Sequence, residues 1–423
     1  MRTWPAAVVS IMQTRKAMRA STGRIALASA CAGAVFAGAL MAAPASVLRV
    51  TLTGQSMIRS DLRVTAPSAV ASIQGLLQGE VRFTNLEGTV AQPGQSVHQG
   101  RGFLTPPQAL AALQTFGFNL LALADNHAFD LSVTGIQNTL READRLGIVH
   151  AGTGNTLAEA AAPRYLHTSS GTVALVASCS GLIGPEASAT AERPGVNELR
   201  IRSGDQLNEA TADLPDAPAN RPDAADSQRI LRAIRAARQH AAWVIVYQHN
   251  HVFANRAFAT IFTEGMPERL APNEWLRRWT HAEVDAGADI VVMHGAPLLH
   301  GVEIYHGRPI FYDLGNFIYN VPPTLTYIDE PMSWESAVAY VEFQDARLRS
   351  ISIRPITLNP IGNGQPDVHD GLTNNEFLDT RGLPAPATGA RARYILERLA
   401  QLSQPFGTRI EVHGDTASVN LAP

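Results

Sequence analysis

The sequence is poor in cysteine and has no strong charge of either sign. Two of its 423 residues are cysteines, Cys31 and Cys179, and Cys31 lies in an N-terminal segment with the features of a signal peptide. An exported protein that keeps a single cysteine has no internal disulfide, so its stability must come from its hydrophobic core. The formal net charge is −3 at pH 7, and no run of like charges exceeds a few residues. Composition therefore does not indicate a nucleic-acid partner.

The sequence also shows no tandem repeat. Its length of 423 residues allows two or three average domains or one large α/β unit. Hydrophobic residues make up 45% of the chain, which is enough for a sizeable core and excludes wholesale disorder.

The first 45 residues have a composition of their own. Residues 1–24 carry five basic residues and no acidic one, and residues 25–42 form an uncharged run rich in Ala, Gly and Leu. Ala43-Pro44-Ala45 then resembles a cleavage site, so we predict a secretory signal over residues 1–45. The alternative is an uncleaved anchor, because about 18 uncharged residues is near the minimum for a membrane span. We expect an exported protein, periplasmic or secreted, or anchored through this segment.

The remainder predicts an α/β domain over residues 46–360, in which parallel βα units precede antiparallel strands. The strands predicted by apolar runs are 47–53, 80–84, 118–123, 147–152, 172–178, 243–247, 288–293, 302–305, 309–313, 337–343, 348–356 and 409–412. Helices are predicted at 67–78, 106–116, 132–146, 156–161, 224–240, 274–287 and 389–402. Residues near 180–222 predict a loop insertion, Gly54-Gln55-Ser56 a tight turn, and residues 361–423 an extension that packs on the same domain.

Polar side chains follow five of these strands. They are Gln55, the pair Asn85 and Glu87, the triplet Asp125, Asn126 and His127, the pair His249 and His251, and His294. Strands that run in parallel bring their carboxyl ends to one edge, so we expect these groups to converge. Imidazoles, a carboxylate and amide oxygens suit Zn, Mn or Fe. For the triplet alone, a helix cap with an incidental histidine is the alternative.

The order and spacing of these motifs resemble the CapA family of capsule-synthesis proteins, which are linked to poly-γ-glutamate. The motifs are Asn85-Leu86-Glu87, Asp125-Asn126-His127-Ala128-Phe129-Asp130, His249-Asn250-His251, His294-Gly295 and Tyr312-Asp313-Leu314-Gly315-Asn316-Phe317. The resemblance implies a metallophosphoesterase-like fold: a four-layer α/β/β/α sandwich of two packed mixed sheets flanked by helices, with the site at the strand ends.

The resemblance also implies roles for individual residues. His127 would be a general acid or a ligand, with Asp125 beside it as a catalytic residue. The metal ligands would be Asn126, His249, His294, Glu87 and Asn85. Residues that would contact substrate or orient the ligands are Gln55, His251, His300, Glu303 and Asn316.

Some of these assignments have alternatives. Asn316 follows Gly315, and this pair is more typical of a turn that supports the site than of a ligand. His251 would point away from the site if the strand extended that far. Glu303 either orients a ligand or is a solvated hairpin residue.

Two departures from the family pattern concern the number of metal ions. Gln55 stands where the family has Asp, and a second histidine expected near Pro297 is absent, with His300 three residues further on. A neutral amide binds metal less well than a carboxylate, so a site with one metal ion or none is an alternative to a site with two. Asp61 is a candidate to supply the missing carboxylate.

The functional expectation has two forms. The first is an exported protein of capsule, poly-γ-glutamate or other envelope-polymer metabolism that acts as a metal-dependent hydrolase or transferase on phosphoester or amide bonds. The second is a non-catalytic polymer-binding or export factor on a degenerate phosphoesterase fold. An anionic polymer and membrane-bound synthesis or export machinery are the expected partners. A periplasmic phosphoesterase unrelated to capsule is a third form, because fold alone does not define function.

Overall fold

The computed structural model describes residues 47–97, 102–203, 220–252, 272–321, 331–363 and 375–421. The signal segment predicted over residues 1–45 and residues 204–219 of the insertion predicted near 180–222 lie outside these ranges. Residues 45–423 form one compact unit. Among the described helices, none combines the length and the apolar character needed to cross a membrane.

The strands of the described residues are short to medium in length and follow the apolar runs of the sequence. In chain order they are β1 (Val47–Leu52), β2 (Gln55–Met57), β3 (Val81–Asn85), β4 (Thr89–Val90), β5 (Leu104–Thr105), β6 (Leu120–Ala122), β7 (Val149–Ala151), β8 (Thr153–Gly154), β9 (Arg164–Thr168), β10 (Gly171–Ser180), β11 (Gly195–Val196), β12 (Ile201–Ser203), β13 (Asn220–Pro222), β14 (Trp243–Asn250), β15 (Ile290–His294), β16 (Val302–Tyr305), β17 (Arg308–Phe311), β18 (Asn316–Tyr319), β19 (Glu335–Gln344), β20 (Arg347–Leu358), β21 (Pro384–Pro386), β22 (Ile410–His413) and β23 (Thr416–Val419).

The α-helices of the same residues lie between these strands. They are α1 (Leu62–Thr65), α2 (Val70–Leu76), α3 (Pro107–Phe116), α4 (Ser132–Leu146), α5 (Leu157–Ala161), α6 (Ala224–His240), α7 (Glu274–Ala286), α8 (Asn375–Thr380) and α9 (Gly389–Ser403). Short 3₁₀ turns occupy Pro67–Ala69, Pro331–Trp334 and Gln404–Phe406.

Two large mixed sheets contain most of the strands. The first has the order β22-β23-β20-β19-β1-β3-β6-β7, with β21 paired to β20, and the second has the order β16-β17-β15-β14-β10-β9. In the first sheet β1, β3, β6 and β7 run parallel, and in the second β10, β14, β15 and β17 run parallel. Each sheet therefore has a parallel part whose carboxyl ends form one edge.

The two sheets pack face to face. One apolar cluster contains residues of both, and the ring centroids of Phe83 on β3 and Tyr247 on β14 are 5.7 Å apart across the interface. A second cluster lies between the outer face of the second sheet and helices α6 and α7, where Ile234 and Trp279 are buried. The predicted four-layer α/β/β/α sandwich of metallophosphoesterase type is confirmed.

Several element boundaries differ from the prediction. The helices at 132–146 and 224–240 are confirmed to the residue. The turn predicted at Gly54-Gln55-Ser56 is wrong, because Gln55 begins β2, which pairs with β18. The strand predicted to end at Tyr247 continues to Asn250. Strands β21 to β23, beyond the predicted domain limit of 360, are part of the first sheet.

Two glycines let backbone segments meet at the shared edge. A Cβ on Gly54 would lie 2.2 Å from the carbonyl oxygen of Gly315, so β1 can meet the start of β18 only without a side chain there. Gly295, directly after β15, has φ +124°, and its Cβ would lie 2.2 Å from the carbonyl oxygen of Asn250.

Candidate metal centre

Polar residues from both sheets meet at the carboxyl ends of their parallel strands. Asn85 ends β3, Asn126 follows β6 on the loop to α4, His249 lies near the end of β14, and His294 ends β15. His249 and His294 are direct neighbours in the register of β14 with β15. The side chains predicted to converge therefore come from the edges of two different sheets. The pattern of a single strand does not specify this arrangement.

The centre of this region is a set of three buried ligand-type side chains. One ligand atom each of Glu87, His249 and His251 lies within 4.8 Å of the others, and all three residues are buried. The Nε2 atoms of His249 and His251 are 3.0 Å apart, and Oδ1 of Asn126 is 2.9 Å and 3.0 Å from them. We call Glu87, Asn126, His249 and His251 the ligand cluster.

The backbone of β14 explains why the two histidines face the same way. Side chains alternate along a strand, so residues two apart share a face. Tyr247, His249 and His251 form such a row, and the Tyr247 hydroxyl lies 2.9 Å from Nδ1 of His249. The alternative in which His251 points away from the site is wrong, because His251 follows His249 by two positions rather than one.

The ligand cluster fits a divalent metal ion by its chemistry. Around a tetrahedral zinc ion with bonds near 2.0 Å, neighbouring ligand atoms lie about 3.3 Å apart, close to the separations of the two imidazoles and the amide oxygen. Glu87 adds a buried carboxylate whose Oε2 has no hydrogen-bond partner among the described residues. Without a bound cation, the burial of so many hydrogen-bond acceptors away from water would destabilise the fold.

The protonation states agree with that fit. Burial lowers the pKa of His251 to about 3 and the pKa of His249 well below its ordinary value, and nearby histidines add to both shifts. Both imidazoles are therefore neutral near pH 7, which is the form that ligates metals. Burial also raises the pKa of Glu87 to about 7. A bound cation would return Glu87 to its ionised form.

His127 lies beside the ligand cluster and is held by a carboxylate. Its Nδ1 is 2.7 Å from Oδ2 of Asp130, and its backbone amide donates to Oδ1 of Asp125. Burial opposes the charged imidazolium, but the Asp130 hydrogen bond and charge outweigh it, so the net effect raises the pKa of His127. With the Nδ1 proton directed at Asp130, Nε2 is the atom left to exchange a proton.

Asp125, predicted to be catalytic, is buried in the loop between β6 and α4 that also carries His127. One carboxylate oxygen accepts the His127 amide, and Oδ2 has no hydrogen-bond partner among the described residues. Burial, together with the nearby charge of Glu87, raises the pKa of Asp125 well above its usual range.

His294 and Asn85 form a neighbouring pair outside the ligand cluster. Nδ1 of His294 donates to Oδ1 of Asn85 at 2.6 Å, and Nε2 of His294 has no hydrogen-bond partner among the described residues. Burial lowers the pKa of His294 to about 3. Gln55 lies at the same edge, buried, with its Oε1 likewise without a hydrogen-bond partner in the described part of the chain. This pair supplies fewer charged ligands than the ligand cluster does.

The remaining predicted residues lie around this core or away from it. His300 is buried and lines a small pocket with His294 and Asp313. Asn316 pairs with Gln55 in the β2–β18 register, and its amide nitrogen donates to the carbonyl of Ser333. Both residues flank the His294 side of the site.

Two of the alternatives left open by the sequence do not agree with the structure. Glu303 is buried, not solvated, and its carboxylate binds Arg277 and His281 of α7 and the hydroxyl of Tyr312, which gives it structural partners. Asp61 does not replace the missing carboxylate, because it caps the N-terminus of α1 and pairs with Arg63 at 2.7 Å.

The sequence reasoning did not assign two residues that hold the site together. Asp130 ends the motif that begins at Asp125. Its position three residues after His127 is the feature of the sequence that could have identified it as a partner of His127. Tyr247 ends an apolar run that is typical of a buried strand, and it is buried, but its hydroxyl also contacts His249.

Comparison with known proteins identifies the family of the chain. The model of the family described as bacterial capsule synthesis protein PGA_cap matches residues 36–321. The chain belongs to this family. The resemblance to CapA proteins predicted from the motifs is thereby confirmed, and the matched region contains the whole ligand cluster, His127 and His294.

Individual relatives of this PGA_cap protein are moderately similar. Two uncharacterized proteins of Sinorhizobium fredii (strain NBRC 101917 / NGR234), y4sH and y4uA, are each 28% identical to it over 82% of this chain and 87% of theirs. The PGA biosynthesis protein CapA of Bacillus subtilis (strain 168) is 27% identical over 51% of this chain and 46% of CapA. A solved structure of a hypothetical protein from Thermus thermophilus aligns with a TM-score of 0.40 and 13% identity, over 73% of this chain and 98% of that one.

Proposed function

We propose that this PGA_cap protein is exported and acts as a metal-dependent hydrolase or transferase on phosphoester or amide bonds of a capsule or other envelope polymer. The polymer is anionic, with poly-γ-glutamate as the first candidate in view of the relative named PGA biosynthesis protein CapA. The protein works beside membrane-bound synthesis or export machinery of the cell envelope.

One observation carries the catalytic part of the proposal. Glu87, His249 and His251 bring three buried ligand atoms within 4.8 Å, and His127, a residue able to exchange a proton, lies at the same edge. A divalent ion held by the ligand cluster would supply an activated water and polarise a phosphoryl or carbonyl oxygen.

The residues of the chain have distinct parts in such a reaction. Tyr247 orients His249 through Nδ1, and Asp130 orients His127 in the same way, which leaves the Nε2 atoms directed away from these partners. Protonated at Nε2, His127 can donate to the leaving oxygen or nitrogen. The raised pKa of His127 keeps that proton available.

The proposal is tested by assaying the metal-supplemented chain on a chromogenic phosphodiester and on oligo-γ-glutamate. We expect hydrolysis of one of them that a chelator abolishes, and a loss of about 100-fold or more in His127→Ala with metal content unchanged. His240→Ala, an exposed histidine of α6, is the matched control. Full activity in His127→Ala would contradict its role, and inactivity of the metal-loaded wild type on both substrates would contradict the enzyme.

A second candidate function is a non-catalytic polymer-binding or export factor, and Gln55 favours it. This buried neutral amide lies at the same edge as the His294–Asn85 pair, where a carboxylate would bind a second ion more strongly. If the pair retains a weak ion site, Gln55→Asp raises the metal-to-protein ratio measured by elemental analysis. An unchanged ratio would show that this half of the site has lost metal binding.

A further inference from the structure

Arg59 brings a guanidinium to the edge of the metal centre, and this group has no part in the proposed reaction. The residue follows β2, and Asn320 holds it from two sides: its backbone amide donates to Oδ1 of Asn320 at 3.2 Å, and its Nε donates to the Asn320 carbonyl at 2.9 Å. Within the described residues, its two terminal nitrogens have no hydrogen-bond acceptor or direct ion pair. The side chain is partly exposed.

An aromatic ring connects Arg59 with His127. The guanidinium carbon is 4.6 Å from the centroid of Phe103, whose ring centroid is 6.2 Å from that of His127. The Phe103 amide donates to Oδ2 of Asp130, the same oxygen that contacts His127. Arg59 and the proposed proton donor therefore both lie next to one buried ring.

The charges around Arg59 leave it incompletely neutralised. Asp379 on α8 faces it and acts on it by charge, without forming a direct ion pair, and Asp379 is itself hydrogen-bonded to Ser60. Arg63, four residues further on, shows the opposite arrangement, because Asp61 binds it through two hydrogen bonds of 2.7 Å. The segment from the end of β2 into α1 thus contains one cation with a full partner, Arg63, and one without, Arg59.

We propose that Arg59, seated on Phe103, is a subsite for an oxyanion of the substrate next to the bond held at the metal centre. The oxyanion is a carboxylate of a polyanionic chain or a phosphate group. The two free terminal nitrogens of arginine match either one as a planar fork. The aromatic ring beneath favours the cation and limits its hydration. This assignment of an anion position rests on the proposed function only for the identity of the polymer.

The test measures binding of two probes to the full chain by calorimetry, with and without metal. Tri-γ-glutamate presents carboxylates, and inorganic phosphate presents the other source. We expect Arg59→Ala to weaken binding of at least one probe by about 10- to 100-fold, the range for one charged hydrogen-bonding partner. Arg63→Ala, which removes a nearby paired cation, should leave affinity unchanged, and the probe affected identifies the source of the oxyanion.

Arg59→Lys provides a second variant that keeps the charge but loses the fork. We expect an intermediate affinity and an unchanged melting temperature, which separates loss of the subsite from misfolding. Equal affinities in the wild type and Arg59→Ala, or equal losses in Arg59→Ala and Arg63→Ala, would overturn the subsite, as would absence of binding of both probes to the wild type. A chain that holds no metal but still binds a probe through Arg59 would contradict the proposed reaction and leave the subsite standing.

Discussion

Asp130 contacts Nδ1 of His127 and so leaves Nε2 as the nitrogen available for proton exchange. Its Oδ2 accepts from the Phe103 amide and contacts Nδ1 of His127, so one carboxylate oxygen positions both a ring and a backbone segment. A histidine held this way has one tautomer and one orientation. The same device occurs at Tyr247 and His249, where a hydroxyl takes the place of the carboxylate.

Replacing that carboxylate changes the titration of His127. In Asp130→Asn the charge that raises the pKa of His127 is gone while burial still lowers it, so the pKa of His127 falls. NMR titration of the chelator-treated protein measures this shift. Asp144→Asn is a matched control, because Asp144 pairs with His150 at 3.0 Å outside the site and should leave His127 unchanged. A constant pKa of His127 in Asp130→Asn would contradict the role of Asp130.

At the level of the elements, glycines at strand ends allow the two sheets to share one edge. Gly54 separates β1 from β2 where the backbone of Gly315 passes, and Gly295 follows β15 where Asn250 passes. Both positions bring ligand-bearing strands closer than a Cβ permits.

Gly54→Ala is therefore expected to destabilise the fold. Its Cβ would lie 2.2 Å from the carbonyl oxygen of Gly315, a clash of the kind that costs about 1–3 kcal/mol or more. Thermal unfolding of the two variants Gly54→Ala and Gly75→Ala gives the comparison. Gly75 lies in α2 with nothing within 4 Å of its Cβ, so alanine there should be neutral or stabilising. Equal melting temperatures would show that the β1–β18 approach is not tight.

The sequence was informative about elements that are long or strongly periodic. Residues 132–146 and 224–240 have a helical pattern with one apolar face, and both boundaries are confirmed. The apolar run before His249 predicted a strand. The last three residues of β14, Gln248 to Asn250, are polar and were therefore not predicted to belong to that strand. Short strands such as β2 have no periodicity of their own and form because β18 is beside them.

Contacts across the two sheets could not be deduced from local patterns. The motif series predicted that Asn126 and His249 lie at one site, and the structure brings Oδ1 of Asn126 to 2.9 Å from Nε2 of His249. The motif series did not indicate that His251 joins the ligand cluster while His294 pairs with Asn85 beside it. That division depends on which residues face each other once the sheets have packed.

For the whole molecule, a buried acid of α7 makes stability depend on pH. Glu283 is fully buried, and burial raises its pKa well above the usual range of a glutamate. An acid whose pKa is raised by folding contributes stability below its unfolded pKa and loses that contribution as the pH rises through its folded pKa. The wild type should therefore lose stability relative to a neutral variant as the solution becomes less acidic.

Glu283→Gln tests this dependence. We expect its melting temperature, relative to the wild type, to rise progressively as the pH increases from about 5 to about 8. Glu274→Gln at the exposed start of the same helix is the control and should show a small, constant difference. A constant difference for Glu283→Gln as well would mean that its carboxyl group is solvated.

The measurement that tests the central claim most directly is the metal content of the full chain, purified without chelator after growth with Zn, Mn and Fe. We predict about one ion per chain in the wild type and in His240→Ala, and a loss of that ion in His249→Ala, because two neutral imidazoles and Glu87 hold it. Absence of metal from the wild type, or equal metal in the wild type and His249→Ala, would contradict the metal centre.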